Sequence, residues 1–471
     1  MRPEIPEALA ERVDRLYSDA GYTTGSELVR DAVRRRLDAL ESDTGGERGG
    51  FRDFADRTMY RDGGIVYGIN PFNDSPVAVD RFVLPGGPHE FVFGKIASGK
   101  TVSTRLCIRR ELDRRDDLHV AVIDLRGEYE SLVSAVDGTT VTLDDLSINP
   151  LHVRPPSTGE SDRPVADRGF EETMEFFEAY FDDRPRSVDR YRETLETALQ
   201  EAFSPPDSTD GRPNPGDGTD AVPDARRPSM TDLLDQLSEL LRNPERIALS
   251  NSRAELEEIV HDGVRLSTGL ADLNDDVRYS YIGSETSFDT TDSRLTYFDL
   301  GDSRRTSSSE WSVLMQAVLG AILAQARRTD DRVLVVIDGF DRLLGGFDGD
   351  RIDRLLRRAT YRETAFRFVA QSLGGPHRDR LLSSCTLLHL HPGMHEVFPD
   401  LESVFGLSES EADLFRIEGS WESANIDAPL KATDGPGTLL GVKDGGRGGR
   451  TWIPLHVTDD GASSTHHAPH R

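Results

Sequence analysis

The stretch FVFGKIASGKTVST, residues 91–104, sets Gly94 four residues ahead of Gly99-Lys100-Thr101. That is the spacing of a phosphate-binding loop. Successive backbone N–H groups from Gly94 through Lys95, Ile96, Ala97, Ser98 and Gly99 can cradle phosphate oxygens. A helix starting at the loop's end adds its positive terminus. Lys100 would then reach the β- and γ-phosphates of ATP, and the Thr101 hydroxyl would hold Mg²⁺. A second stretch, DRVLVVIDGFDRLLGG at 331–346, runs five apolar residues, Val333 to Ile337, into Asp338. A buried strand that delivers a carboxylate to the sheet edge fits the Walker B aspartate, which holds Mg²⁺ through water.

The residue after Asp338 is Gly339, where hydrolytic P-loop motors usually carry the glutamate that polarises water. Glycine cannot accept a proton. Asp341 could reach in from the next turn, or Glu128 of DLRGEYE could supply the carboxylate from a neighbouring strand end. A third reading is that ATP is bound and cleaved poorly. TAFRFVAQ ends in Gln371, which could sense the γ-phosphate, orient water or serve as a structural amide. RIDRLLRRATYRE offers Arg357, Arg358 and Arg362 as arginines that a neighbouring subunit's phosphates could meet.

These residues need a sheet to bring them together. Alternating strand and helix signals begin near residue 51, and IVYGIN, VAVDRFVL and HEFVFG read as strands. KTVSTRLCIRRELDRRD reads as a helix, and LHVAVID as a second buried strand with polar residues at its end. In open parallel sheets, ligands bind at that carboxyl edge. The expected fold class is α/β, a RecA-like P-loop NTPase core with a helical insertion and a small N-terminal unit. The core spans 60–458, with the insertion at about 165–275 and a Pro-, Gly- and Asp-rich loop at 204–229 read as disordered. Four helices read within the insertion, where Phe170, Phe176 and Phe177 are core candidates.

Composition bounds the partners. The chain has 471 residues, enough for two or three domains. Its 84 acidic against 56 basic side chains give a net charge of −28, spread along the chain, so DNA binding would need local basic clusters. This balance resembles the surface of salt-loving archaeal proteins, and high salt screens long-range fields. The two cysteines, Cys107 and Cys385, read as small core residues, so no disulfide is expected. No apolar run reaches 18 residues and no signal peptide is legible, so a cytoplasmic protein that can dock on a membrane assembly is expected.

The first forty residues form a separate unit. Leu9, Val13 and Leu16 line one short helix, and Leu28, Ala32, Val33 and Leu37 a second, capped by Thr24 and Glu27. Two such helices cannot bury a core alone, so a second copy is the simplest partner. The stretch GYTTGSELVRDAVRRRL resembles the ribbon-helix-helix family of dimeric DNA binders. The strand that reads DNA in that family is poorly matched by MRPEI, with Pro3 and Pro6 close together. Arg34, Arg35 and Arg36 could touch phosphates or form a solvated face. Residues 41–59 read as a linker, and 459–471, with His466, His467 and His470, as a disordered tail without a structural metal site.

The motif order resembles the motor domain of the HerA–FtsK superfamily, particularly the VirB4/TraG type of conjugative-transfer and type IV secretion ATPase. The similar stretches are SPVAVDRF, GKIASGKT, VIDLRGEYESLV, LSINPLHV, YIGSETSFD, RLTYFDLGD, VLVVIDGFDRLL, FVAQSL and the late GLSESEADLFRIEG. The resemblance implies an ATP-driven motor, often hexameric, that moves DNA or protein at a membrane-bound transfer complex. It implies Lys100, Thr101 and Asp338 as nucleotide and Mg²⁺ residues and Gln371 as the sensor glutamine. Gly339 departs from the pattern, and the ribbon-helix-helix-like unit stands in place of the family's larger N-terminal domain.

Overall fold

A computed structural model describes residues 56–151 apart from isolated positions, then 165–182, 191–203, 228–246, 252–301, 308–342, 349–360, 363–371, 378–391, 404–412 and the strands between 438 and 457. The N-terminal helical pair, the 204–227 loop, the C-terminal tail, the side chains of Phe170 and Arg358, and Arg362 lie outside the described residues.

An antiparallel hairpin opens the described chain, β1 (Ile65–Asn70) with β2 (Ser75–Val79). The sequence reading extended β2 through VAVDRFVL. The structure ends it at Val79 because the Asp80 carboxylate accepts from the Phe82 backbone N–H and starts a 3₁₀ turn at Arg81–Val83. The chain then enters β3 (Glu90–Phe93), the phosphate-binding loop and helix α1 (Lys100–Arg114). There follow β4 (Leu118–Asp124), α2 (Glu130–Ala135) and β5 (Thr139–Thr142). Four helices come next: α3 (Val165–Asp182), α4 (Arg192–Phe203), α5 (Met230–Arg242) and α6 (Arg253–Asp275). The sheet resumes with β6 (Leu295–Asp299), α7 (Ser308–Ala326), β7 (Arg332–Asp338), α8 (Gly349–Thr360) and β8 (Thr364–Ala370). Helix α9 (Arg378–Ser384), β9 (Leu387–Leu390), β10 (Thr438–Lys443) and β11 (Arg450–Leu455) close it.

Among the described residues the main sheet has nine strands in the order β11-β10-β9-β3-β8-β7-β4-β6-β5. The pairs from β9 through β5 are parallel, and β10 and β11 add an antiparallel edge. The central strands read as near-continuous apolar runs because both sheet faces are covered. Alternate residues of β7 divide between two cores: Val333, Val335 and Ile337 on one face, Leu334 and Val336 on the other. The first face is covered by α7 and the α3–α6 group, where Phe176 and Phe177 are buried in edge-to-face contact. Helix α5 starts on a capping box, Ser229 with Asp232, and buries Leu233, Leu237 and Leu240 at helical spacing. Cys107 and Cys385 are buried free thiols. No described helix is long and apolar enough to cross a membrane.

This order places the carboxyl ends of β3, β8, β7, β4 and β6 along one edge. The loop after β3, Gln371 after β8, Asp338 on β7 and Asp124 on β4 therefore meet.

Candidate functional site

The loop between β3 and α1 is shaped by two close approaches and two left-handed residues. A side chain on Gly94 would meet His391 Cβ at 2.5 Å and Ser98 Oγ at 2.6 Å, so only glycine fits there. Gly99 has φ +88° and leads into α1, whose N-terminus has no side-chain cap. Its leading N–H groups are thus left for an outside acceptor. Ala97 has φ +60°, a conformation that costs an L-residue about 1–2 kcal/mol. The Ser98 hydroxyl is buried without a protein partner, and Ile96 and Ala97 are exposed. Lys95 is half-buried, and its carbonyl joins that of Gly94 in accepting from Lys100 Nζ, each at 2.7 Å. Burial pushes the Lys100 ammonium down to about 8, against the opposing pull of Asp338 and with further depression from Arg126.

Three carboxylates face this loop. Oxygens of Asp124, Glu128 and Asp338 all lie within 4.8 Å of one another. Thr101 Oγ1 lies 3.1 Å from Asp338 Oδ2 and 3.3 Å from Glu128 Oε2. The Tyr129 hydroxyl donates to Asp338 Oδ2 at 3.0 Å. Burial, then repulsion from Asp124, raises the Asp338 carboxyl to about 6, opposed by the Tyr129 and Thr101 hydrogen bonds. Burial also raises Asp124, despite backbone N–H bonds from Glu128 and Arg126. Clustered oxygen donors around a threonine hydroxyl suit a hard divalent cation such as Mg²⁺. The uncapped helix and the unpartnered Ser98 hydroxyl suit a phosphate. The residues present therefore fit both ATP and Mg²⁺.

Asp338 carries a pH prediction. If Asp338 holds Mg²⁺, the cation has to displace the carboxyl proton, and affinity should then fall about tenfold per pH unit below about 6. Titrating Mg²⁺ into nucleotide-free protein across the range from about pH 5 to about pH 8 measures this; an affinity flat with pH would refute it. The sign for folding is opposite. Between 3.8 and about 6 this carboxyl binds more proton in the metal-free native state than in the unfolded chain, so its own contribution to stability grows as pH falls through that window.

Sequence reasoning named Glu128 and missed Asp124. Asp124 lies under Glu128: its Oδ1 accepts from Arg126 N–H at 3.0 Å and its Oδ2 from Glu128 N–H at 2.6 Å. The signal was legible, because AVID ending β4 repeats the VVID that ends β7. Asp341 lies outside the three-carboxylate group; its Oδ1 accepts from the Gln371 backbone N–H at 3.4 Å. The Gln371 amide, with its oxygen turned to the donors, accepts from both terminal nitrogens of Arg126, at 2.9 Å for Nη1. Arg357 is exposed on α8. His391 was also missed. Buried at the end of β9, its Nδ1 lies 3.0 Å from Ser98 O and its Nε2 2.9 Å from Ser103 Oγ, so one ring ties the loop to α1. Burial holds that imidazole neutral, well below its ordinary value.

Gly339 has φ +84°, and a Cβ there would meet Leu125 Cδ1 at 3.4 Å. Its N–H donates to Val369 O at 3.0 Å, which extends the β7–β8 pairing. The backbone after Asp338 is therefore built for glycine rather than for a glutamate.

A parallel sheet with a phosphate-type loop, an invading helix N-terminus and acidic strand ends defines a RecA-like P-loop NTPase core. No family model and no curated protein matches the chain. Among solved structures, VirB4 of Thermoanaerobacter pseudethanolicus is 20% identical, with 86% of this chain and 100% of that chain covered and a TM-score of 0.58. The chain shares that protein's fold. The plasmid coupling protein TrwB in complex with ADP and Mg²⁺ is 13% identical over 87% of this chain and 92% of that one, with a TM-score of 0.43.

Proposed function

We propose that this chain is an ATP-binding P-loop ATPase that works as a motor in a transfer-type machinery. The observation that carries the reading is the Thr101 hydroxyl set between Asp338 and Glu128, one residue from the loop lysine. Lys100 would exchange its two loop carbonyls for phosphate oxygens, and the uncapped start of α1 would hold the same group. Thr101 and Asp338, with Asp124 behind them, would hold Mg²⁺, which when bound neutralises charge on the phosphates. Glu128, exposed at the mouth, is the carboxylate placed to accept a proton from water, and it takes the part that Gly339 cannot. Asp341 is a weaker candidate because it is engaged at Gln371.

The fold shared with VirB4 is compatible with the sequence resemblance to conjugative-transfer and type IV secretion ATPases, and that resemblance suggests a homo-oligomer, a hexamer or a dimer, as the working form. DNA is the substrate suggested by the resemblance of the N-terminal unit to ribbon-helix-helix proteins. A second reading is a scaffold that binds ATP and hydrolyses it weakly, and the glycine-adapted backbone at 339 favours it.

ATP turnover at high salt, with and without DNA, separates the two. The motor reading expects turnover that DNA stimulates and that Asp338→Ala abolishes. Lys100→Ala should weaken Mg·ATP binding about 10- to 100-fold, as expected for loss of charged hydrogen bonds. Binding without turnover in the parent protein would leave the scaffold reading standing and sink the motor.

A further inference from the structure

Arg126 stands at the mouth of the site, and its position is tightly specified. It follows β4 in the turn Asp124-Leu125-Arg126-Gly127-Glu128. That turn is closed by Asp124, which accepts from the backbone of both Arg126 and Glu128, and Gly127 supplies the left-handed residue at φ +75°. Arg105 Nη1 pins the far side by donating to Glu128 O at 2.7 Å. One buried carboxylate thus fixes a cation and an anion two residues apart, both exposed at the mouth.

The guanidinium reaches Gln371 at the end of β8. Strands β4 and β8 flank β7, so they stand about 10 Å apart at two strand spacings. The Arg126–Gln371 contact therefore passes over the end of β7, where Asp338 ends the strand and Gly339 carries no side chain. Gln371 is itself fixed, since its backbone N–H donates to Asp341. An amide oxygen satisfies only part of a guanidinium's five-donor fork. Arg126 is exposed two residues before Glu128, whose Oε2 lies 3.3 Å from Thr101 Oγ1 at the start of α1. The turn therefore carries a guanidinium with donors beyond those that Gln371 takes, beside the phosphate-binding loop.

We infer that Arg126, aimed by Gln371, is a γ-phosphate-binding residue that this chain supplies to its own nucleotide site. Lys100 turns from the loop carbonyls to the phosphates held in the loop, and Arg126 meets the terminal phosphate from the side of the carboxylate cluster. The inference rests on the nucleotide-binding reading and deepens it. It gives this site a cation within its own subunit, distinct from any arginine that α8 presents to a neighbour. A guanidinium placed at the terminal phosphate discriminates triphosphate from diphosphate, because ADP offers nothing there.

The test compares equilibrium affinities of the full chain for the non-hydrolysable β,γ-imido analogue of ATP and for ADP, both with Mg²⁺, by calorimetry. Arg126→Ala should reduce the analogue-to-ADP preference about tenfold or more, the loss expected for one charge-assisted contact, while ADP affinity changes less than about twofold. Arg126→Lys should keep part of the preference, since it keeps the charge and loses the fork. Gln371→Ala should lower the preference by a smaller factor. An unchanged preference in Arg126→Ala with both nucleotides still bound overturns the arginine assignment alone. Equal weakening of both nucleotides also overturns it, and points to a structural role for the turn. A parent protein that binds neither nucleotide overturns the nucleotide reading and this inference together.

Discussion

Glu128→Gln should lower ATP turnover by about 10²- to 10⁴-fold, the usual contribution of a positioned general base. Glutamine keeps the size of the side chain and an oxygen that can still accept from Thr101, but it cannot take a proton. Affinity for Mg·ATP should therefore stay within a few-fold. Asp341→Asn should change turnover by less than about threefold, since an amide oxygen can still accept from the Gln371 N–H, as the Asp341 carboxylate does. Phosphate release at saturating ATP, beside nucleotide affinity for each variant, decides the matter. If Asp341→Asn is the slow variant and Glu128→Gln turns over normally, the carboxylate has been misassigned. If neither slows, water is activated without either group.

Glu90→Ala should cost about 3–5 kcal/mol of folding stability, the range for leaving buried charge uncompensated. Glu90 opens β3, and its fully buried carboxylate accepts from Arg81 Nη2 at 2.6 Å and from Arg367 Nε at 2.8 Å, with the Tyr67 hydroxyl donating at 3.0 Å. Arg81 also donates to Glu111 on α1, which in turn accepts from Arg115, itself bonded to Asp80. One ionic chain thus ties the β1–β2 hairpin, β3, α1 and β8 together. Removing Glu90 leaves buried Arg367 without its carboxylate and Arg81 with Glu111 alone. Burial alone would raise the Glu90 carboxyl, but Arg367 and Arg81 outweigh it and hold it at about 2. A depressed carboxylate stabilises the fold above the ordinary value of 4.5, and that stabilisation is lost as pH falls toward 2. Denaturant unfolding of the parent protein and Glu90→Ala, at neutral pH and at about pH 3, measures both effects. A loss below about 1 kcal/mol at neutral pH would mean that water reaches the arginines.

The parts of the site that sequence could show were those with local signals. The Gly94–Thr101 spacing and the apolar run into Asp338 need only neighbours along the chain to be read. Both were visible because strand and loop chemistry is short-range. Glu128 was visible for the same reason, as a carboxylate just past a buried strand. Asp124 was harder to read although its strand ends as Asp338's does, because it is buried beneath Glu128 and is engaged by the backbone N–H groups of Arg126 and Glu128. His391 and Glu90 had no local signal at all. Each acts through partners remote in the chain: Ser98 and Ser103 for His391, Arg367 for Glu90. Only the strand order β9-β3-β8 brings these groups together. The strand over-read through Arg81 failed for a local reason, an aspartate whose side chain competes for the backbone.

The left-handed backbone at Gly339 bears on how the site could be redesigned. Exchange of that glycine for glutamate would place a Cβ where φ is +84°, so the change would meet a folding penalty before it could contribute any chemistry. An acid engineered at this strand end would need the turn after Asp338 rebuilt with it, whereas the turn after β4 already accommodates a carboxylate at Glu128.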